Sequence, residues 1–214
     1  MQPNAADIAY RSIKSKILSR EYLQGFQLKE VRVSKDIGLT RTPVREAFIR
    51  LEREGLLRII PNKGAFVIEL SAKEIEDLFE VREALEVMAI RLAVRRANRD
   101  EISALRKMLL KTDQLYQRGI VKNYEDPEFD FHLELIKLSK NNKLISSWKL
   151  LAAQLSLVRM TSSLTQKRYL KALDEHHGML KFIDSGNPNK AGNLLRSHLV
   201  KSKNILLTQF NAAN

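Results

Sequence analysis

All four histidines of the chain lie in its second half, on segments whose apolar spacing predicts helices. Glu128 precedes His132 by four residues, so a helix presents both side chains on one face, where a carboxylate and an imidazole can bind the same ion. His176 and His198 lie on two further predicted helices and can complete a set of three imidazoles and one carboxylate. Such a set suits a divalent transition metal, with Zn, Ni, Mn and Fe as candidates. A lone helical histidine is more often a surface or core residue than a ligand, so this interpretation depends on the grouping.

Three polar residues in the segment GLTRTPVREAF, residues 38–48, have the chemistry to read DNA. Arg41, Thr42 and Arg45 fall at the exposed start of a predicted helix, where side chains can reach base edges and backbone N–H groups can bind phosphate. Arg41 and Arg45 are four residues apart and share one helix face. Arginine can bind guanine through two hydrogen bonds, and threonine hydroxyls suit phosphates or bases. The alternative for each arginine is simple solvation of an exposed helix.

Short elements before residue 70 must position these arginines. Apolar spacing and turn residues predict three helices and a β-hairpin in this order: helices at about 6–20, 29–37 and 41–54, then two strands around a turn at 61–64. Gly38 suits the left-handed end of the second helix, and Thr40 can cap the third. Three helices followed by a hairpin have the size and order of a winged helix-turn-helix, whose second motif helix normally enters the major groove. Residues 41–54 are therefore the candidate reading helix, and the hairpin is the wing.

From residue 71 onward the strand signals stop and the pattern is helical. Ser71 and Glu74 form a capping box that opens the first of about six helices, predicted at 71–97, 100–118, 127–139, 142–163, 167–185 and 188–210. Short connections predict an antiparallel helical bundle, in which cavities between helices are natural ligand sites. The predicted fold is therefore mainly α, with a DNA-binding domain at 1–70 and an all-helical domain at 71–214.

Composition narrows the class of protein and of partner. The chain has 214 residues and no cysteine, which excludes disulfides and thiolate metal sites and fits a reducing compartment, with the cytoplasm as the simplest location. A net charge of +12 suggests a polyanionic partner such as nucleic acid. No apolar run approaches the roughly 18 residues of a membrane span, and no signal peptide is visible, so we expect no membrane association.

The first half of the chain resembles a known family of regulators. The run LKEVRVSKDIGLTRTPVREAFIRLEREGLLRIIPNKGAFV, residues 28–67, resembles the N-terminal domain of GntR-family regulators nearly position by position. The resemblance implies that Arg41, Thr42 and Arg45 contact bases or phosphates. It also implies a close approach of Gly64 at the wing tip to DNA, assisted by Lys63. The family often has an arginine where Val31 stands here, next to Arg32.

The second half resembles the FCD domain, the ligand-binding half of the FadR subfamily within GntR regulators. The family pattern of Asp-x-x-x-His, Arg, Glu-His and Arg-x-His corresponds here to EFDFH at 128–132, Arg159, EHH at 175–177 and RSHL at 196–199. The resemblance implies three metal ligands at His132, His176 and His198. Glu128 takes the place of the usual Asp as the fourth ligand, and Asp130 would replace it only if the helix register were disturbed. Six helices favour the VanR-type branch over the seven-helix branch that binds acyl-CoA.

The resemblance further implies a small-molecule effector. In many FCD domains a metal and nearby arginines hold the carboxylate of an organic acid, because a cation and a guanidinium neutralise that charge in a low-dielectric cavity. Arg82 and Arg159 are the candidates for this role. The alternatives are an intrahelical ion pair with Glu86 for Arg82 and plain solvation for Arg159.

Together these features predict a homodimeric transcription regulator that binds a palindromic operator in double-stranded DNA and whose DNA affinity responds to the effector. Repression relieved by ligand is the commoner family mode, and activation is left open. A metalloenzyme is the alternative from another class, but no residue marks a general acid or base beside the metal. A purely architectural DNA protein would leave the helical half without a role.

Overall fold

The structure is a computed structural model that describes residues 4–117, 127–159 and 166–213. The chain divides into two compact units. The first comprises Met1–Glu74 with Leu150–Thr161, and the second comprises Ile75–Lys149 with Ser162–Asn214.

The first unit contains the three helices and the hairpin that the sequence predicts. Its elements, in chain order, are α1 (Ala5–Leu18), β1 (Gln27–Leu28), α2 (Glu30–Asp36), α3 (Arg41–Arg53), β2 (Leu57–Ile60) and β3 (Gly64–Val67). Helix α1 packs on α3 and buries Ile13 and Ile17, while α3 buries Phe48 and Leu51. This packing leaves the first turn of α3 at the surface.

Two details of this unit differ from the sequence-based expectation. The hairpin gains a third strand, since the two residues of β1 pair with β3 in an antiparallel sheet of order β1-β3-β2. A strand of only two residues is too short to show an alternating pattern in the sequence, so only its pairing with β3 defines β1. Thr40 is the N-cap residue of α3, with the extended backbone expected there, but its side chain makes no capping hydrogen bond.

Gly64 holds the wing in a conformation that a side chain would disturb. Its φ is +98°, and a Cβ atom would lie 2.6 Å from the backbone carbonyl oxygen of Leu28 on β1. We expect Gly64→Ala to lower the free energy of unfolding by about 2 kcal/mol or more, because the backbone is strained and the strand cannot yield easily. Gly38→Ala is the matched control, since Gly38 also has a positive φ, +68°, but has nothing within 4 Å of its Cβ position. Urea denaturation measures both, and equal losses of stability would contradict a restraint from β1.

The second unit is built from helices. They are α4 (Ala72–Arg96), α5 (Arg99–Gln117), α6 (Pro127–Leu138), α7 (Asn142–Arg159), α8 (Gln166–Asp184) and α9 (Pro188–Ala213), with the second half of α7 assigned to the first unit. These six match the predicted helices over the described residues. The predicted capping box before α4 is confirmed, because Ser71 N donates to Glu74 Oε2 and Glu74 N donates to Ser71 Oγ.

Helix α8 lies at the centre of the packing in the second unit, because it contacts α5, α6 and α9. The core combines leucines, isoleucines and alanines with Phe131 and Met179. Five large polar side chains are nevertheless buried in this unit: Arg82, Glu86, His132, His176 and His198. Burying a charged group or an imidazole costs free energy unless the group is paired, so these five residues are candidates for a functional site. None of the described helices combines the length and the apolar character that crossing a bilayer requires.

Candidate metal centre and candidate DNA-binding surface

Three of the predicted ligands meet inside the second unit. His132 on α6, His176 on α8 and His198 on α9 are each at most 1% exposed, and one ligand nitrogen from each lies within 4.8 Å of the others. The ring centroids of His176 and His198 are 4.9 Å apart. Phe131 stacks on the His176 ring with centroids 4.0 Å apart, which fixes the orientation of that imidazole. The fold thus collects imidazoles that are up to 66 residues apart in sequence.

Carboxylates on neighbouring helices orient two of the imidazoles. Glu86 Oε2 lies 2.5 Å from His132 Nδ1, and Glu175 Oε2 lies 2.7 Å from His198 Nδ1. A carboxylate accepts hydrogen bonds, so in each neutral ring the hydrogen belongs on Nδ1 and the lone pair on Nε2. Both lone pairs are therefore available to an ion, in the arrangement that orients metal-binding histidines in many proteins.

The donor set fits a divalent transition metal. His132 Nε2 and His198 Nε2 are 3.3 Å apart, and two lone pairs at this distance repel each other unless a cation lies between them. Two nitrogens bound to one zinc ion at about 2.0–2.1 Å in tetrahedral geometry are about 3.3–3.4 Å apart, which agrees with this spacing. Three imidazoles leave at least one coordination position for a carboxylate, a water or a ligand.

The protonation states also favour binding of a cation. Burial lowers the pKa of His132 to about 4, although Glu86 acts against the shift, so the imidazole is neutral at physiological pH. Burial alone would raise the pKa of Glu86, but the charge of Arg82 and the hydrogen bonds from His132 and Arg82 outweigh it and hold this pKa below its usual range. The same balance holds at Glu175, where bonds from His198 and Lys201 outweigh burial and lower the pKa. The centre thus offers a neutral imidazole at His132 with the ionised carboxylate of Glu86 behind it, and a second ionised carboxylate, Glu175, behind His198.

Arg82 is connected to His132 by Glu86, which bonds to both side chains. The guanidinium Nε donates to Glu86 Oε1 over 2.7 Å, so the intrahelical pair considered as the alternative is present. Arg82 is 1% exposed, and its Nη2 is buried with no hydrogen-bond partner among the described residues. The indole nitrogen of Trp148 also donates to Glu86 Oε1, over 3.1 Å. Sequence reasoning treated Glu86 only as a partner of Arg82, and it missed Trp148 because no local pattern marked that residue.

Two predicted site residues are not tested by the geometry. The side chains of Glu128 and Arg159 lie outside the described residues, although their backbones belong to α6 and α7. Arg159 falls in the first compact unit, whereas the three histidines fall in the second. Asp130, the possible substitute for Glu128, is exposed. The fourth metal ligand and the second effector arginine therefore stay predictions.

The predicted DNA-reading arginines lie together at the start of α3. Arg41 and Arg45 have side chains 61% and 62% exposed, and both donate to the carboxylate of Glu30 at the start of α2. Arg45 binds it through Nε and Nη2 at 2.7 and 2.9 Å, and Arg41 binds through Nη2 at 3.3 Å. These bonds, Arg45 first, lower the pKa of Glu30. The carboxylate holds two guanidinium groups side by side, an arrangement that sequence reasoning missed.

The remaining predicted contacts lie on α3 and on the wing. Thr42 is exposed in the first turn of α3, and Lys63 is exposed in the turn between β2 and β3. The Gln27 side chain on β1 donates to the Lys63 carbonyl over 2.6 Å, which anchors the wing tip. The positive φ of Gly64 and the nearby Leu28 carbonyl already explain why a glycine stands at this position. A contact of Gly64 with DNA stays a prediction.

Two family models match the chain, one in each half. Residues 5–67 match the model described as "Bacterial regulatory proteins, gntR family", and residues 77–201 match the model of the FCD domain. The second match alone spans more than half of the chain. The wing and α3 fall within the first match, and the three histidines fall within the second.

Named relatives agree with these matches, and a solved structure shares the fold. The Nta operon transcriptional regulator of Aminobacter aminovorans is 35% identical over 144 residues, which cover 66% of this chain and 67% of that protein. A probable D-xylose utilization operon transcriptional repressor of Paenarthrobacter nicotinovorans is 25% identical over 82% of this chain and 76% of that protein. The structure of E. coli McbR/YncC superposes with a TM-score of 0.82 at 19% identity, covering 98% of this chain and all of that chain.

Proposed function

This chain belongs to the GntR family of bacterial regulatory proteins and carries an FCD domain, and from that premise we propose that it is a sequence-specific repressor whose DNA affinity is set by a small carboxylate bound beside a metal. The family and its named relatives are transcriptional regulators, so the chain is a regulator and not an enzyme. The metalloenzyme alternative is thereby excluded. Repression is the finer proposal, supported by relatives that are named repressors.

The DNA-binding role is assigned to residues 1–70, with α3 as the reading helix. Arg41 and Arg45 project together from its first turn and are exposed, as groups that bind guanine edges must be. Thr42 and Lys63 supply contacts to phosphate or bases, and Gly64 lets the wing backbone approach DNA. A homodimer would present two such heads to a palindromic operator with half-sites about one helical turn apart.

The sensing role is assigned to residues 71–214. The buried cluster of His132, His176 and His198 carries this part of the proposal, because burying three imidazoles in a helical core is costly unless hydrogen bonds or a bound cation compensate. Glu128 would complete the ligand set, with Zn, Ni, Mn or Fe as the metal, whose positive charge would attract an anionic ligand. Six described helices after residue 71 support the VanR-type branch.

The effector is proposed to bind through its carboxylate to Arg82 and, from the family pattern, Arg159. Arg82 supports this best, because a guanidinium N–H that is buried without an acceptor among the described residues gains a charge-assisted hydrogen bond when an anion arrives. Binding would then favour one arrangement of the DNA-reading heads, with a coupling free energy of about 1–3 kcal/mol.

One experiment on purified protein tests both halves of the proposal. Repeated selection from a library of randomised DNA duplexes should enrich a sequence with two inverted half-sites, and metal analysis of the same sample should find about one transition-metal ion per chain. A panel of mono-, di- and tricarboxylates is then added to the protein bound to the selected duplex. At least one should change the dissociation constant by about 5- to 150-fold.

Each part of this proposal has its own contradicting result. Failure to enrich any duplex sequence would contradict sequence-specific recognition. Less than a tenth of an equivalent of metal after incubation with Zn²⁺ and removal of the excess would contradict the metal centre. Enrichment of a duplex with metal bound but no response to any carboxylate would leave the DNA and metal assignments and contradict the effector class.

A further inference from the structure

Glu86 is the only residue among those described that bonds both to a candidate metal ligand and to the candidate effector arginine. It is fully buried on α4, and all of its neighbours of interest lie in the second unit. One carboxylate oxygen accepts from Arg82 Nε at 2.7 Å and from Trp148 Nε1 at 3.1 Å. The other oxygen accepts from His132 Nδ1 at 2.5 Å. One carboxylate therefore bonds to the candidate effector arginine through one oxygen and to a candidate metal ligand through the other.

Sharing a carboxylate makes its two sets of hydrogen bonds depend on each other. When a cation binds His132 Nε2, the ring becomes a stronger Nδ1–H donor and draws more of the carboxylate charge towards Oε2. Less charge then remains on Oε1 for Arg82 and Trp148. In the opposite direction, an anion that binds Arg82 weakens the hold of the guanidinium on Oε1 and leaves more charge for His132.

We propose that Glu86 is a positioning residue that fixes the His132 ring for metal binding and couples the occupancy of the metal centre to Arg82. This inference rests on the proposed function and adds the physical link between its metal and effector sites. Linkage requires the coupling to be reciprocal, so metal should strengthen binding of a carboxylate at Arg82 and the carboxylate should strengthen binding of metal. Trp148 lies on the Arg82 side of the link and, as the only tryptophan in the chain, reports it by fluorescence.

The variant Glu86→Gln tests the link while keeping the shape of the side chain. Arg82 and Trp148 both donate, so they require the amide oxygen, and the amide nitrogen must then face His132 Nδ1. Two N–H donors cannot face each other, so the ring must move its hydrogen to Nε2, where it blocks the lone pair that points to the cluster. We expect the affinity for Zn²⁺, measured by competition with a chromophoric chelator, to fall about 10- to 100-fold.

Fluorescence of Trp148 tests the coupling separately from affinity. Zn²⁺ has a filled d shell and no redox chemistry, so it does not quench the indole directly, and a change in emission on its addition reports a change in the surroundings of the indole. We expect saturating Zn²⁺ to change the emission of the wild-type protein and to give less than a third of that change in Glu86→Gln. Glu83→Gln, at a partly exposed position of the same helix where the carboxylate pairs with Arg196 and not with Arg82 or His132, is the matched control and should reproduce both wild-type results within twofold.

A structural role for Glu86 as the counterion of Arg82 gives different results. Glu86→Gln leaves Arg82 buried without its partner and can lower stability for that reason alone. The comparison of Arg82→Met with Arg82→Met/Glu86→Gln removes this effect, because neither variant contains the buried guanidinium. If the Glu86→Gln change again costs about 10- to 100-fold in Zn²⁺ affinity, the role toward His132 stands.

Two contradicting outcomes separate this inference from the proposed function. If the wild-type protein binds Zn²⁺ but Glu86→Gln binds it within twofold of the wild type, or shows the full change in Trp148 emission, the link through Glu86 is wrong and the metal centre stands. If the wild-type protein binds no Zn²⁺, the metal centre and this inference are both wrong.

Discussion

Replacement of His176 by alanine should lower the affinity of the protein for Zn²⁺ by on the order of 100-fold or more. His176 supplies one of the three candidate nitrogens, its ring is stacked on Phe131, and alanine has no ligand atom to replace it. Metal analysis of the purified variant measures the loss, and competition with a chromophoric chelator gives its size. Removing a buried ring also leaves a cavity, so the measurement belongs well below the melting temperature of the variant, as checked by circular dichroism.

The adjacent histidine provides a close control for this prediction. His177 is on the same helix, but its Nε2 pairs with Asp113 Oδ2 at 2.8 Å and its side chain is 35% exposed. His177→Ala should therefore bind Zn²⁺ as the wild-type protein does. A folded His176→Ala variant that keeps the full metal content would refute the assignment of His176 as a ligand. Loss of metal from both variants alike would point to a general effect on helix α8.

Replacement of Arg41 by alanine should remove most of the preference of the protein for its selected DNA sequence. A guanidinium bonded to a guanine edge contributes about 1–3 kcal/mol of discrimination, so affinity for the selected duplex should fall by about 5- to 150-fold. Affinity for a scrambled duplex should fall much less, because it rests on phosphate contacts. Arg41 suits this test better than Arg45, because its bond to Glu30 is single and longer, and its removal disturbs the free protein less.

A wing variant distinguishes sequence reading from general attraction to DNA. Lys63→Ala removes an exposed charge from the wing turn and should weaken binding to the selected and the scrambled duplex by the same factor. The slope of the logarithm of affinity against the logarithm of salt concentration should also become shallower by about one, because one fewer counterion is released on binding. Fluorescence anisotropy at several salt concentrations measures both quantities. Unchanged selectivity in Arg41→Ala would exclude this arginine from base recognition.

Much of the fold could be predicted from the sequence, because the signals that begin and end its helices are local. Ser71 and Glu74, three residues apart, accept hydrogen bonds from each other's backbone N–H groups, so the predicted capping box is confirmed. Gly38 ends the second helix region in the left-handed conformation that its residue type allows. The family resemblance added the functional meaning of α3, which periodicity alone leaves as an exposed basic helix.

Features that depend on partners distant in sequence were the ones missed. Strand β1 has only two residues, and it exists because Gln27 and Leu28 pair with Phe66 and Ala65 nearly forty residues later. The bonds from Arg41 and Arg45 to Glu30 also cross from one helix to another. A sequence pattern records which residues share a face of one element, but it does not record which faces meet.

The candidate metal centre shows the division between sequence and tertiary structure most clearly. The sequence alone determined the residue types, the helices that carry them and, through the family resemblance, the set of His132, His176 and His198. Only the tertiary structure decided that these rings converge, that Glu86 and Glu175 hold two of them by Nδ1, and that Arg82 shares a carboxylate with His132. The physical reason is that a helix fixes side-chain directions within a few turns, whereas the distance between His132 and Glu86, 46 residues apart, depends on how the helices pack into a common core.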